Sequence, residues 1–212
     1  STEERLTPPV KPEELAALLD QMEADGRHDL RLATGLIALF GLRPAELAVL
    51  TVKGDKLYCG HVKRNAATLA QKAKPPRRCL PLDIAGREGE GKRLLQLYSS
   101  GLVKLPTAVS NEISKVEAKG TFQQVGHAFG QLLKRYEPWK NLVRSNPDVS
   151  PYSLRHSWAW RCHVCSNNAL HVRQAAALMG HTVAVHLKNY GTWVDEASLE
   201  AAVERYTEGL VT

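Results

Sequence analysis

The chain has 212 residues, 43% of them hydrophobic, which suits one globular core and supplies no run of about 20 apolar residues to cross a membrane. No basic, apolar leader opens it, and four cysteines are too few for a disulfide framework, so an intracellular, cytoplasmic and reducing setting is expected. The net charge of +6 is uneven: residues 53–80 hold eight bases and one acid and residues 134–173 seven bases and two acids, between acidic ends at 1–26 and 194–212, a pattern that points to a polyanion, nucleic acid first.

Residues 1–10, with Pro8 and Pro9, read as a linker tail, and residues 11–212 as the domain. The stretch "KPEELAALLDQMEA" predicts a helix: Pro12 suits the first helical position, and Leu15, Leu18, Leu19 and Met22 share a face. A second helix follows in "DLRLATGLIALFG", where Gly41 suits a left-handed stop. "RPAELAVL" restarts a helix behind Pro44. The period then changes, and "KLYCGHVK" and "RRCLPLD" predict an antiparallel pair of strands joined by a polar loop. "PTAVSNEISKVEAKG" and "TFQQVGHAFGQLLKRY" return to helical spacing, with Thr121 and Gln124 forming a capping box. "YSLRHSWAWRCHVC", "VRQAAALMG" and "SLEAAVERYTEGL" predict three more helices, the last with Leu199, Val203, Tyr206 and Leu210 along one stripe at 198–210. The fold class is therefore mostly α with a small antiparallel β-sheet.

Several chemistries lack their residues. Cys162 and Cys165 have C-x2-C spacing, but no second matched pair completes a zinc site, so no metal is expected. No G-x-S-x-G, Walker A or G-x-G-x-x-G sequence occurs, so nothing asks for an acyl-enzyme, ATP or a dinucleotide, and no cofactor is expected. What remains suits a phosphate: Arg43 in "GLRPAEL", Arg155 in "YSLRHS", His181 in "LMGHT", Tyr190 in "HLKNYGTW", and lysines on or near the hairpin. Guanidinium forks match phosphate oxygens in a bidentate way. A tyrosine hydroxyl, a poor nucleophile at its ordinary pKa of about 10, needs such electrostatic help.

In their order, these motifs resemble the tyrosine recombinase, or phage integrase, family over roughly residues 10–195: "TGLIALFGLRPAELAVL", a lysine-bearing hairpin, "SPYSLRHSWA", then "LMGHT" and "NYGTW". The resemblance implies a catalytic domain that cuts and rejoins double-stranded DNA through a 3′-phosphotyrosyl link, without metal or ATP. Arg43 and Arg155 resemble the family's phosphate-clamping arginines, His181 its third phosphate ligand, Tyr190 its nucleophile and Glu46 the supporting acid of the first motif. Lys63, at the end of "KLYCGHVK", corresponds to the lysine that protonates the leaving 5′ oxygen, with Lys72 and Lys74 as alternatives. Where the family usually carries a histidine three residues before the second arginine, this chain has Tyr152, expected to hydrogen-bond the same phosphate that Arg155 holds. His156 belongs to the family pattern and is expected to make a structural hydrogen bond, with Trp158 and Trp160 in packing roles.

The resemblance further implies an amino-terminal DNA-clamping domain, absent from this chain, and assembly on DNA as a homo-oligomer, a tetramer, through the C-terminal helix. Two other readings share the fold. A DNA-binding regulator that has lost strand cleavage is favoured by Tyr152. A break-and-rejoin topoisomerase has the same chemistry without site choice.

Overall fold

The computed structural model of the chain describes residues 7–62, 74–119, 122–166 and 170–210. Helix α1 (Pro12–Ala24) starts on proline and buries the Leu15, Leu18, Leu19 and Met22 face, which packs on α2 (His28–Phe40). α2 is the central rod: every residue from Leu30 to Phe40 is buried. It ends at Gly41, whose φ of 67° is left-handed, a backbone state that only glycine adopts without strain. The "RPAELAVL" segment, expected to restart a helix, does so as a 3-10 helix (Pro44–Val49). Proline opens it, and its short span leads directly into a strand.

That strand, β1 (Leu50–Lys53), was not expected. It pairs with β2 (Lys56–Cys59) through a hairpin in which Lys53 faces Lys56, and Gly54 at φ 63° turns the chain between them. β2 pairs in turn with β3 (Arg77–Cys79), antiparallel as expected, giving the order β1-β2-β3.

Helices α3 (Glu90–Ser100), α4 (Thr107–Lys119), α5 (Gln123–Arg135) and α6 (Glu137–Ser145) follow. α3 lies so close to α2 that a Cβ on Gly35 would clash with Leu94 Cδ1. α5 begins after Phe122, and the expected capping residue Thr121 lies outside the described residues. α7 (Ser153–Trp160) packs against α2 and runs into a π-helical turn, Arg161–Cys165. α8 (Val172–Met179), α9 (Val183–Tyr190) and α10 (Glu196–Glu208) complete the chain.

One core runs from Val10 through α1, α2, the sheet and α5 to Leu154. A second cluster joins Trp158, Ala159, Cys162, Ala175, Met179 and Tyr190. Val10, at the end of the expected linker, is fully buried, and its N–H donates to the Ser153 carbonyl at 3.1 Å. None of the described residues forms a helix long and apolar enough to cross a membrane.

Candidate phosphate-binding site

The site begins with Glu46, in the first turn of the 3-10 helix. Its Oε1 accepts the Arg43 backbone N–H at 2.7 Å, satisfying one of the donors that every helix start leaves over. The same carboxylate, 1% exposed, collects guanidinium groups. Arg77 donates to Oε1 at 2.9 Å and also bonds Oε2. Arg43 Nη1 donates to Oε2 at 3.3 Å, and Arg155 Nη1 stands 3.7 Å from Oε1. Burial alone would raise the Glu46 pKa, but the Arg77 hydrogen bonds and charge, with those of Arg155 and Arg43, outweigh it and hold it at about 2. One carboxylate among three arginines leaves a surplus of positive charge at this point.

The arginines are also fixed from the other side. The last carbonyls of a helix have no partner within it and carry the negative end of its dipole. At the end of α8, Arg77 Nε donates to Leu178 O at 3.0 Å, Arg155 Nη2 to Met179 O at 2.8 Å, and Arg43 Nη2 to Gly180 O at 3.3 Å. Arg155 also reaches the end of α2, where Nη1 donates to Gly41 O at 2.6 Å. Arg155 thereby ties two helix ends together. It is 2% exposed, and burial, with repulsion from Arg43, lowers its pKa to about 10, so it stays charged at neutral pH. Arg43 is the more open of the pair, with 27% of its side chain exposed. Arg161 has a similar build but a structural role: it bonds Ala38 O, Leu82 O and Ser157 Oγ at 2.6, 2.8 and 2.5 Å, away from Glu46.

His181 follows Gly180, where α8 closes. Gly180 has φ 76°, and the His181 N–H returns to Ala176 O at 3.1 Å, the glycine-closed helix end read from the sequence. Burial, then Arg155, His186, Arg43 and Arg77, hold the His181 pKa at about 3, so the ring is neutral at pH 7. Its Nε2 lies 2.7 Å from Nδ1 of His186, whose Nε2 lies 2.7 Å from Nε2 of His163.

Tyr190 is the last residue of α9 and 4% exposed. Its hydroxyl lies 2.8 Å from His156 Nδ1. Burial raises its pKa to about 12 against the opposing pull of Arg155. His156 is itself held at about 4 by burial and Arg155, so it is neutral and its nitrogen can accept the phenol proton. The Tyr190 ring packs against His186 at 4.9 Å, His156 at 5.5 Å and Trp193 at 5.0 Å between centroids.

Of the residues singled out in the sequence, Arg43, Glu46, Arg155, His181 and Tyr190 thus gather around one point. Tyr152 stands at the rim, 40% exposed, with its ring edge-on to His156 at 5.6 Å. His156, expected to make a structural hydrogen bond in the core, is half-buried and makes one to the buried Tyr190 hydroxyl. Trp158 and Trp160 pack as expected. Trp158 is fully buried with its Nε1 on Leu80 O at 3.2 Å, and Trp160 meets Trp193 and the Lys11 ammonium. Lys63 and Lys72 lie outside the described residues, and Lys74 is exposed. Among the described residues no cluster suits a metal: Cys162 is buried and Cys165 exposed.

Arg77 was counted only as part of a basic block. The strand alternation that places it on the face of Cys79 was there to be used. His186 was passed over too, although it stands four residues before Tyr190 and so shares its helix face.

No protein-family model matches the sequence. The chain is 28% identical over 178 residues to excisase A of Nostoc sp. (strain PCC 7120), a match that takes in 77% of this chain and 31% of that protein. The chain therefore spans about a third of the length of this curated relative. Among solved structures, XerA recombinase superposes over the whole chain and 67% of its own, with a TM-score of 0.52 and 16% sequence identity. The mostly helical fold with its small antiparallel sheet is accordingly similar to that of XerA recombinase.

Proposed function

We propose that this chain is the catalytic part of a site-specific DNA recombinase that cuts and rejoins double-stranded DNA through a tyrosine. One observation carries the reading: the Tyr190 phenol sits beside a positively charged pocket built by Arg43, Arg77, Arg155 and His181. A phosphodiester seated there would have its oxygens held by arginine N–H groups as negative charge builds in the transition state. Tyr190 would attack the phosphorus, give its proton to His156 or through it to solvent, and form a 3′-phosphotyrosyl bond while the 5′ oxygen leaves with a proton. Lys63 is the group proposed to supply that proton. The phosphotyrosine keeps the bond energy, so a second hydroxyl can reverse the step. Tyr152 is proposed as a hydrogen-bond donor to the phosphate from the rim.

The basic blocks would line the DNA. The amino-terminal clamp implied by the resemblance would lie on another segment. The helix α10, with Leu199, Val203 and Tyr206 exposed, no residue buried and the exposed Leu210 just beyond it, would dock into a neighbouring copy in a tetramer on DNA.

The test is a nicked suicide duplex that loses the leaving strand. A protein–DNA band on a denaturing gel, absent with Tyr190→Phe, is the expected result. A band that survives in the Phe variant would move the nucleophile elsewhere, to Tyr206 first. A second reading, a DNA-binding regulator without cleavage, is favoured by Tyr152 in the histidine position and by the hold of His156 on the Tyr190 hydroxyl. It predicts salt-dependent DNA binding, with log K falling by about 0.9 per decade of salt for each phosphate neutralised, and no covalent band from any variant.

A further inference from the structure

Of three imidazoles in line, only His181 is used by the steps above; His186 and His163 are not. His181 Nε2 faces His186 Nδ1 and His186 Nε2 faces His163 Nε2, each at 2.7 Å. Two helical features make the line possible. His186 lies on α9, one turn before Tyr190. His163 lies on the π-helical turn Arg161–Cys165, a local widening that often marks functional sites. His186 is 1% exposed, and burial, His163 and Arg155 lower its pKa to about 4, so at neutral pH it carries one ring proton. His181 does the same. A neutral imidazole donates from one nitrogen and accepts at the other. The direction of one bond in the line therefore dictates the direction of the next.

His181 spends Nε2 on His186, which leaves Nδ1 as the nitrogen available to a phosphate. An anionic oxygen needs a donor there. Nδ1–H on His181 requires that Nε2 accept, so His186 must donate from Nδ1 and accept at Nε2, and His163 must donate from Nε2. The opposite direction would present a lone pair to the phosphate and repel it. We propose that His186 is a positioning residue that fixes the proton of His181 on Nδ1 when a phosphate is bound, with His163 completing the line. His163, His186 and Tyr190 also line, with Leu170 and Trp193, a cleft of about 310 Å³. The proposal rests on the reading of this pocket as a phosphate site.

Ring-nitrogen NMR of the histidines, with inorganic phosphate added to saturation, tests it directly. Expected are Nδ1–H on both His181 and His186 in the wild type. His186→Phe, which keeps a ring against Tyr190 but no nitrogen, should release His181 from that state. It should also slow covalent-adduct formation about 10- to 100-fold, by analogy with the loss of a group that orients a metal-bound histidine, while DNA affinity is unchanged. His186→Gln, which restores a donor and an acceptor, should recover part of the rate. His181 protonated on Nε2 under saturating phosphate, or ring signals that phosphate does not move, would overturn the proposal. If the wild type forms no adduct, strand cleavage is refuted as the function, and the nitrogen assignment alone then decides the role of His186. If the Phe variant fails to fold, the wild-type spectrum decides it equally.

Discussion

Around Glu46, each guanidinium is tied to main-chain carbonyls as well as to a carboxylate. Around Tyr190, the partners are side-chain rings. Arg43, Arg77 and Arg155 hang from the carbonyls of residues 178–180, and these belong to a helix end that the core holds in place. Tyr190 is kept by one hydrogen bond to His156 and by aromatic edges, and it is followed by α10, none of whose residues is buried. The difference has a physical sense. An anion-stabilising pocket works best when its dipoles need no reorganisation at the moment of reaction. On the proposed reading, Tyr190 as the nucleophile in the same site must leave its resting partner to reach phosphorus. Backbone anchoring suits the first task and side-chain contacts the second.

The contrast can be broken most sharply at Tyr190. Tyr190→Phe should abolish the covalent adduct on a suicide duplex, keep DNA affinity, and cost only the hydrogen bond to His156, about 1 kcal/mol in urea unfolding. A stability loss as large as that of an anchored arginine would erase the distinction between the two regions.

Glu46→Ala should show the largest fall in stability, about 3–5 kcal/mol by denaturant unfolding, because buried guanidiniums lose their carboxylate. A near-neutral result would mean that the helix-end carbonyls suffice alone.

Arg43→Ala and Arg155→Ala should each slow adduct formation by about 100- to 1,000-fold. Only Arg155→Ala should also lower stability markedly, since it leaves the Gly41 and Met179 carbonyls unpaired whereas Arg43 is partly exposed. Equal stability losses would put both arginines on the same footing.

Acid should weaken both regions, in different windows. Glu46 has a folded pKa of about 2 against an ordinary 4.5, so its contribution is complete above pH 4.5 and is lost as pH falls toward 2. His156, His181 and His186 have folded values of about 4, 3 and 4 against an ordinary 6.5. Protonation therefore favours the unfolded chain, and stability begins to fall already below pH 6.5. The urea midpoint of the wild type should decline from pH 7 to pH 4. In His186→Phe that decline should be shallower, and in Glu46→Gln the part below pH 4.5 should be reduced.

The smallest effect on stability belongs to Tyr152→Phe, within about 0.5 kcal/mol, since the ring lies at the surface. If its hydroxyl reaches the phosphate, adduct formation should still slow by the worth of one charge-assisted hydrogen bond, about 1.5–3 kcal/mol. An unchanged rate would leave Tyr152 as a cover over His156.

The sequence displayed the pocket's residues better than their supports. Arg43 could be read because Pro44 marks a helix boundary beside it, and Glu46 through its resemblance to the supporting acid of the family's first motif. Gly41 and Gly180 announced helix ends, and both have the left-handed backbone expected. β1 escaped because four residues after a short helix carry too little alternation to separate a strand from a helical continuation. The turn at Gly54 and Asp55 was its clearest trace. Arg77 was hidden by its neighbours: strand alternation sets it on the face of Cys79, but nothing in a basic run tells that this face meets a carboxylate 31 residues away. The bond from His156 to Tyr190 spans 34 residues and depends on how α7 meets α9, an arrangement fixed by packing and not by local pattern.

Gly180 has a practical consequence for anyone mapping this protein by mutation. Its carbonyl takes Arg43, its φ is 76°, and a Cβ there would stand 2.6 Å from Arg77 Nη1. Any side chain at this position strains the backbone and pushes into Arg77 at once. A mutational scan scored on protein abundance alone, with no DNA in the tube, would therefore pick out position 180 and, around it, Glu46 and Arg155. A map of folding tolerance would trace the outline of the proposed phosphate pocket and, at the buried Tyr190, accept Phe while rejecting smaller side chains.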